Sequence, residues 1–231
     1  MKAKSDRLAG DRRAGTTRRT ARKARPQRLP REARRAQILE QATRFFSEYG
    51  LTAQTRALAD ACGVSQRLLY SFFPSKAALL EEVYRAEIAG PFKAIWFVEL
   101  QDRSQPVEQR LMRFYTDYYE QVTTRRWLRL FLYASLAEVA MAPAYIGSII
   151  THMLGLIVAE AAHEQGLRVP DEAATRQEIG WVLHGAVSHL AIRRHVYGNE
   201  NPIPPRAAIA MQVRVFLGGL SAVLPPASRG R

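Results

Sequence analysis

Residues 55–80 read TRALADACGVSQRLLYSFFPSKAALL, and the punctuation of that run decides the fold. Leu58, Ala59, Ala61 and Cys62 form a short apolar cluster that stops at Gly63. Ser65 is placed to cap a second short helix through Phe73, which Pro74 ends, and Ser75 to cap a further helix starting near Lys76. Two short helices joined by a tight turn at Gly63 and Val64 make a helix-turn-helix, a motif whose second helix enters the DNA major groove. The residue types suit that use. Ser65, Gln66 and Arg67 stand at the front of the second helix, where Gln pairs with adenine N6/N7 and Arg with guanine O6/N7. Tyr70 and Lys76, with Ser71 beside them, are placed to reach phosphates, as are the backbone amides of the helix start.

Working outward, Ile38, Ala42, Phe45, Phe46 and Tyr49 recur at helical spacing and Gly50 stands as a stop, so a first helix precedes the motif. Residues 1–30 are poor in large apolar side chains and are expected to be a disordered arm. Charge is concentrated there: the whole chain carries +13, of which residues 1–35 hold +11 and the remaining 196 residues only +2. A polycationic arm beside a helix-turn-helix is expected to add sequence-independent affinity for the DNA backbone and to reach the minor groove.

Downstream the pattern stays helical. Candidate helices cover 107–122, 127–140, 144–165, 172–197 and 206–223, separated by Pro106, Pro143, Gly166 with Pro170, and the stretch 198–205, and no run reads as a strand. The expected fold is therefore all-α: a three-helix domain with the helix-turn-helix at 31–78, a larger helical body at 79–224, and a flexible tail at 225–231. The most apolar stretch, 145–162, carries Ser148, Thr151, His152 and Glu160, a poor match to a bilayer span. The start lacks the apolar core of a signal peptide, and a single cysteine excludes an internal disulfide, so a cytoplasmic protein without membrane association is expected. Cys62 reads as a small buried hydrophobe.

At residues 36–83 the sequence resembles the TetR family of bacterial transcriptional regulators. The resemblance is carried by Phe45-Phe46 and Gly50, by Thr55-Arg56-Ala57-Leu58-Ala59 and Gly63-Val64-Ser65, and by Leu69-Tyr70-Ser71-Phe72-Phe73 with Ser75-Lys76-Ala77-Ala78-Leu79-Leu80. It implies an all-α fold in which an N-terminal helix-turn-helix domain is joined to a larger domain that binds an effector and dimerises. Tyr70 and Lys76 match the family's phosphate-contacting positions, and Thr55 with Arg56 match the start of the supporting helix. Two departures stand out: Arg67 and Leu68 replace a small residue followed by Thr, implying a different operator readout, and Ala57 stands where an acidic residue is common.

The implied function is a sequence-specific regulator of double-stranded DNA, a repressor released from its operator by a small hydrophobic or aromatic effector. The alternative is an architectural, nucleoid-associated DNA binder, which the basic arm alone would suit but which leaves the long apolar body without a use. No catalytic constellation, Gly-rich phosphate loop or paired metal-ligand histidines occur, so neither an enzyme nor a cofactor or metal is expected. A homodimer is expected from the last two helices, through Ile179, Leu183, Val187 and Leu190 and through Val213, Phe216 and Leu220, because the last helix is apolar on two sides, with Met211 and Val215 on the second. An effector pocket, neutral or modestly polar in its taste, is expected among Trp96, Tyr115, Tyr119, Trp127, Phe131 and His152. The fourth helix, 76–99, is expected to couple that pocket to the DNA-binding domain.

Overall fold

The computed structural model describes residues 29–137 and 144–227, with only the backbone of Ser148. The basic arm, read as disordered and DNA-tracking, lies outside the described residues. All regular structure in the described part is helical. Helix α1 (Arg31–Tyr49) buries Ile38, Ala42, Phe45 and Phe46 and ends at Gly50, whose φ of 83° is a conformation that side chains disfavour. Helices α2 (Thr55–Ala61) and α3 (Gln66–Phe72) follow, and α4 (Lys76–Val83) packs on α1. The expected caps form: Ser65 Oγ accepts from Leu68 N at 3.2 Å and Ser75 Oγ from Ala78 N at 3.0 Å.

The fourth helix does not run unbroken to 99. After Val83 it widens into a π-helical turn, Tyr84–Ala89, then breaks at Gly90 and Pro91, and α5 (Ile95–Leu100) starts separately. Proline lacks the amide that would continue the ladder, which is why the chain turns there. The body continues with α6 (Val107–Gln121), α7 (Arg125–Leu136), α8 (Thr151–Glu164, entered through a π-helical turn at Ile146–Ile150), α9 (Ala173–His195) and α10 (Pro205–Gly219). Helix α9 packs on α8 and α10, α10 also on α6, and α5 is held between α6 and α8. The α8–α9 approach is close enough to need a glycine, since a Cβ on Gly180 would sit 2.8 Å from Leu154 Cβ. Residues 225–227, expected in the tail, are instead tied down: Arg168 N donates to Pro225 O and Ala227 N to Gly166 O, both at 2.8 Å.

One buried ionic cluster fixes the body. Arg110, almost fully buried, reaches Glu160 at 2.9 Å and Glu164 at 3.4 Å and donates to the carbonyls of Leu100 and Gln105. Arg103 adds a two-pronged pair to Glu160, at 2.9 and 3.0 Å, and, with burial opposing, holds that carboxyl below its ordinary range. Every hydrogen-bonding edge of the guanidinium faces a partner, the condition under which a buried charge is tolerated.

Candidate nucleic-acid interface and effector cavity

Helix α3 is amphipathic over only two turns. Leu69 and Phe73 are buried against the small domain, while Ser65, Gln66, Arg67, Tyr70 and Ser71 face solvent. Arg31 and Arg35 of α1 lie over the Phe72 and Phe73 rings at 5.4 and 4.9 Å, so the rear of the helix is gripped by cation–π contact as well as apolar packing. The N-cap oxygen of Ser65 answers one of the free amides at the start of α3, and Gln66 and Arg67 leave that same end unobstructed. Tyr70 Oη donates to Thr55 Oγ1 at 3.3 Å and so joins α3 to the start of α2, where Arg56 is exposed. Lys76 is placed differently from a free surface lysine: its Nζ donates to Ala53 O at 2.7 Å, and partial burial lowers its pKa. Cys62 is buried, with its Sγ 3.8 Å from Ile38 O and its thiol pKa raised by burial, which keeps it protonated.

The six aromatic and histidine side chains expected to share a pocket are separated by the fold. Trp127 and Phe131, stacked at 4.7 Å, line a cavity of about 120 Å³ between α7, α9 and the π-helical turn that leads into α8, with Tyr118 of α6. Trp96, Tyr115 and Tyr119 do not line it. Trp96 is packed edge-on to Phe92 and Phe114, Tyr115 is wholly buried beside Phe114, and Tyr119 sits against the His195 ring. His152 lines a separate open groove with Arg176 and Gln177 and packs on Phe97 at 4.8 Å. The cavity instead recruits Tyr145 and Ile150 from the entry to α8, and Trp181, His184, Ser188 and Ile192 from α9. Those four α9 residues follow i, i+3, i+7 and i+11, a helical stripe readable in the sequence but hidden there beside the stronger aliphatic one. Burial pushes His184 down to about 3, so its imidazole is neutral, and its Nδ1 has no hydrogen-bond partner. Among the described residues no group of three or more metal-ligating side chains converges.

Helix α7 joins the two regions. Trp127 and Phe131 face the cavity, and Arg126 and Arg129 of the same helix hold the small domain. Arg126 makes a two-pronged pair with Glu40 of α1, at 2.9 and 3.1 Å, and reaches Glu87 at 3.3 Å. Arg129 donates to the Ser47 and Glu48 carbonyls at the end of α1, a favoured place for a cation. Trp127 itself donates from Nε1 to Ile88 O in the π-helical turn at 3.2 Å.

Six of the seven side chains expected at a dimer interface are turned inward. Leu183, Val187, Leu190, Val213, Phe216 and Leu220 are buried within the subunit, and Ile179 is half-buried. The expectation is corrected accordingly: these residues dock α9 and α10 on their own body, and the apolar surface left over is Val182, Met211 and Val215, which are 64%, 47% and 75% exposed. No helix among the described residues is long and apolar enough to cross a membrane.

Residues 38–83, the span from mid-α1 to the end of α4, match the family model described as bacterial regulatory proteins, tetR family. Over that span the chain is similar to the bacterial regulatory proteins of the tetR family. No curated protein matches the chain. Solved structures extend the likeness to most of its length. A TetR-like transcriptional regulator from Rhodococcus sp. RHA1 superposes with a TM-score of 0.60 at 22% identity, covering 84% of this chain and 99% of that one. The ketosteroid transcriptional regulator of Mycobacterium tuberculosis does so with a TM-score of 0.59 at 20% identity, over 80% and 94%. A TetR-family transcriptional regulator from Thermus thermophilus gives 0.55 at 21%, over 79% and 98%. At such identities the likeness establishes the fold: a tetR-type helix-turn-helix domain followed by a larger helical domain.

Proposed function

We propose that the protein is a sequence-specific DNA-binding transcriptional regulator that works as a homodimer and represses until a small, uncharged, aromatic or hydrophobic effector enters the α7–α9 cavity. The observation that carries this reading is the face of α3: a capped helix start bearing Gln66 and Arg67, held from behind by Leu69 and Phe73 and stacked under two arginines. Arginine and glutamine at that position read guanine and adenine edges, while Tyr70, Ser71, Thr55 and Arg56 lie where the flanking phosphates pass. Lys76 contributes by fixing the Ala53 turn before α2, since its ammonium is engaged there.

Pairing of two subunits through the exposed faces of α9 and α10 would cover Val182, Met211 and Val215 and set two recognition helices on successive half-sites. Release is carried by α7 rather than by α4 alone. A ligand that shifts Trp127 or Phe131 moves the same helix whose Arg126 and Arg129 hold α1, and it strains the Trp127–Ile88 bond to the π-helical turn. The two positions of the small domain form the two-state equilibrium that the ligand biases. A purely architectural DNA binder would have no use for a cavity coupled in this way.

The test is footprinting with the full-length protein on the DNA upstream of its own gene. Protection of two related half-sites about 10 bp apart is expected; uniform coating without a boundary would favour the architectural reading.

A further inference from the structure

We infer that the cavity between α7, α9 and the π-helical turn before α8 is built for a single-ring, uncharged aromatic molecule carrying one hydroxyl, a phenol-type ligand held by His184 and Ser188. This rests on the regulatory reading of the cavity and specifies its ligand. Size comes first. A volume of about 120 Å³ is close to the cavity of on the order of 150 Å³ that accepts one benzene ring, so a single ring is the size it suits. Shape and surface follow: Trp127 and Phe131 stack parallel, with an interplanar angle of 11°, and Tyr145 meets both edge-on, so the wall offers flat faces and edges suited to another ring.

Charge is the next constraint. None of the described residues lining the cavity is Asp, Glu, Lys or Arg. His184, faced by the Tyr115 and Tyr118 rings of α6 and by Trp181 on its own helix, is neutral because burial disfavours its charged form. Among the described lining residues a carboxylate or an ammonium would meet no counter-charge, at a desolvation cost of several kcal/mol.

The hydrogen-bonding demand selects the hydroxyl. Tyr118 and Tyr145 face each other, Oη to Oη, at 3.4 Å, and Thr123 donates to Tyr119 O at 3.0 Å, so those wall groups are engaged. Two are not. Ser188 makes no hydrogen bond among the described residues although helical serines commonly bond back to the preceding turn, and His184, four residues earlier on the same face, has an Nδ1 with no partner. A neutral imidazole nitrogen either accepts or donates according to tautomer, and a hydroxyl answers both cases because it does both.

The experiment titrates the full-length chain with phenol, toluene, benzoate and 1-naphthol. It follows Trp fluorescence, since two of the three tryptophans, Trp127 and Trp181, line the cavity, together with thermal denaturation. Phenol is expected to quench and to raise the melting temperature, binding about tenfold more tightly than toluene, the value of one net hydrogen bond. Benzoate and 1-naphthol are expected not to saturate. In Ser188→Ala and His184→Leu the preference for phenol over toluene is expected to fall towards one, while toluene still binds. Equal affinities for phenol and toluene in the wild-type chain, or saturable binding of benzoate or 1-naphthol, would overturn the inference, as would an undiminished preference in both variants. Phenol bound as expected with operator affinity unchanged would overturn the regulatory reading and leave the ligand class standing.

Discussion

At the scale of single residues, the most consequential side chain is one that looks ordinary in the sequence. His184 is one of five histidines and has no ligand-like spacing to another, yet the fold buries it without an answering charge. Its pKa falls from 6.5 to about 3. The sign of the resulting pH dependence follows from proton counts. Between pH 6.5 and 3 the unfolded chain binds a proton at this position that the folded chain refuses, so stability is fully present above pH 6.5 and declines as the medium is acidified through that window. Melting temperatures measured from about pH 7.5 to about pH 4.5 should therefore fall less steeply in His184→Leu than in the wild-type chain. Parallel curves would mean that the imidazole is solvated or paired.

At the scale of elements, α7 is the piece with two loyalties. Its cavity face carries Trp127 and Phe131, and Arg126 and Arg129 on its other side hold α1. Arg126 pairs with Glu40 in a partly exposed setting, where an ion pair is worth ~1 kcal/mol or less. The double variant Arg126→Ala, Arg129→Ala should accordingly leave the fold intact and keep operator binding within a few fold, but reduce the effector's ability to lower it. An effector response equal to wild type would move the coupling elsewhere, to the α4 π-helical turn alone. This element also shows what was legible in advance. Ser65, Gly50, Pro74 and Ser75 act on the backbone within a few residues of themselves, so these caps and stops were readable: α1 ends before Gly50, and α3 and α4 begin after Ser65 and Ser75. Arg126 and Arg129 carry no such local signal; they acquire meaning only when α7 is laid against α1. Trp96 and Tyr115 misled for a related reason, because a polar-tipped ring fills dry core as readily as it lines a pocket.

At the scale of the whole molecule, periodicity identified the two apolar faces of the last helix but not which of them docks inward. Val213 and Phe216 pack on the body, and Met211 and Val215 remain outside with Val182 of α9. These three exposed apolar side chains, on two helices that pack on each other, are the surface that the proposed dimer would cover. Val215→Glu combined with Val182→Glu should yield a monomer at micromolar concentration, with a native helical signal and operator binding weakened by roughly ten-fold or more through loss of the second half-site. Phe216→Glu, by contrast, should unfold the subunit, since that ring belongs to its core. A wild-type chain that sediments as a monomer would contradict the dimer.

The central claim, that α3 reads DNA bases, is tested most directly by one comparison. Binding of the wild-type and Arg67→Ala proteins is measured on the footprinted operator and on random duplex of equal length at the same salt. If Arg67 makes a bidentate guanine contact, the variant loses ~1 to 3 kcal/mol, roughly 5- to 150-fold, on the operator and almost nothing on random DNA. Equal losses on both duplexes would show that Arg67 touches only phosphate, and no loss on either would remove α3 from the interface altogether.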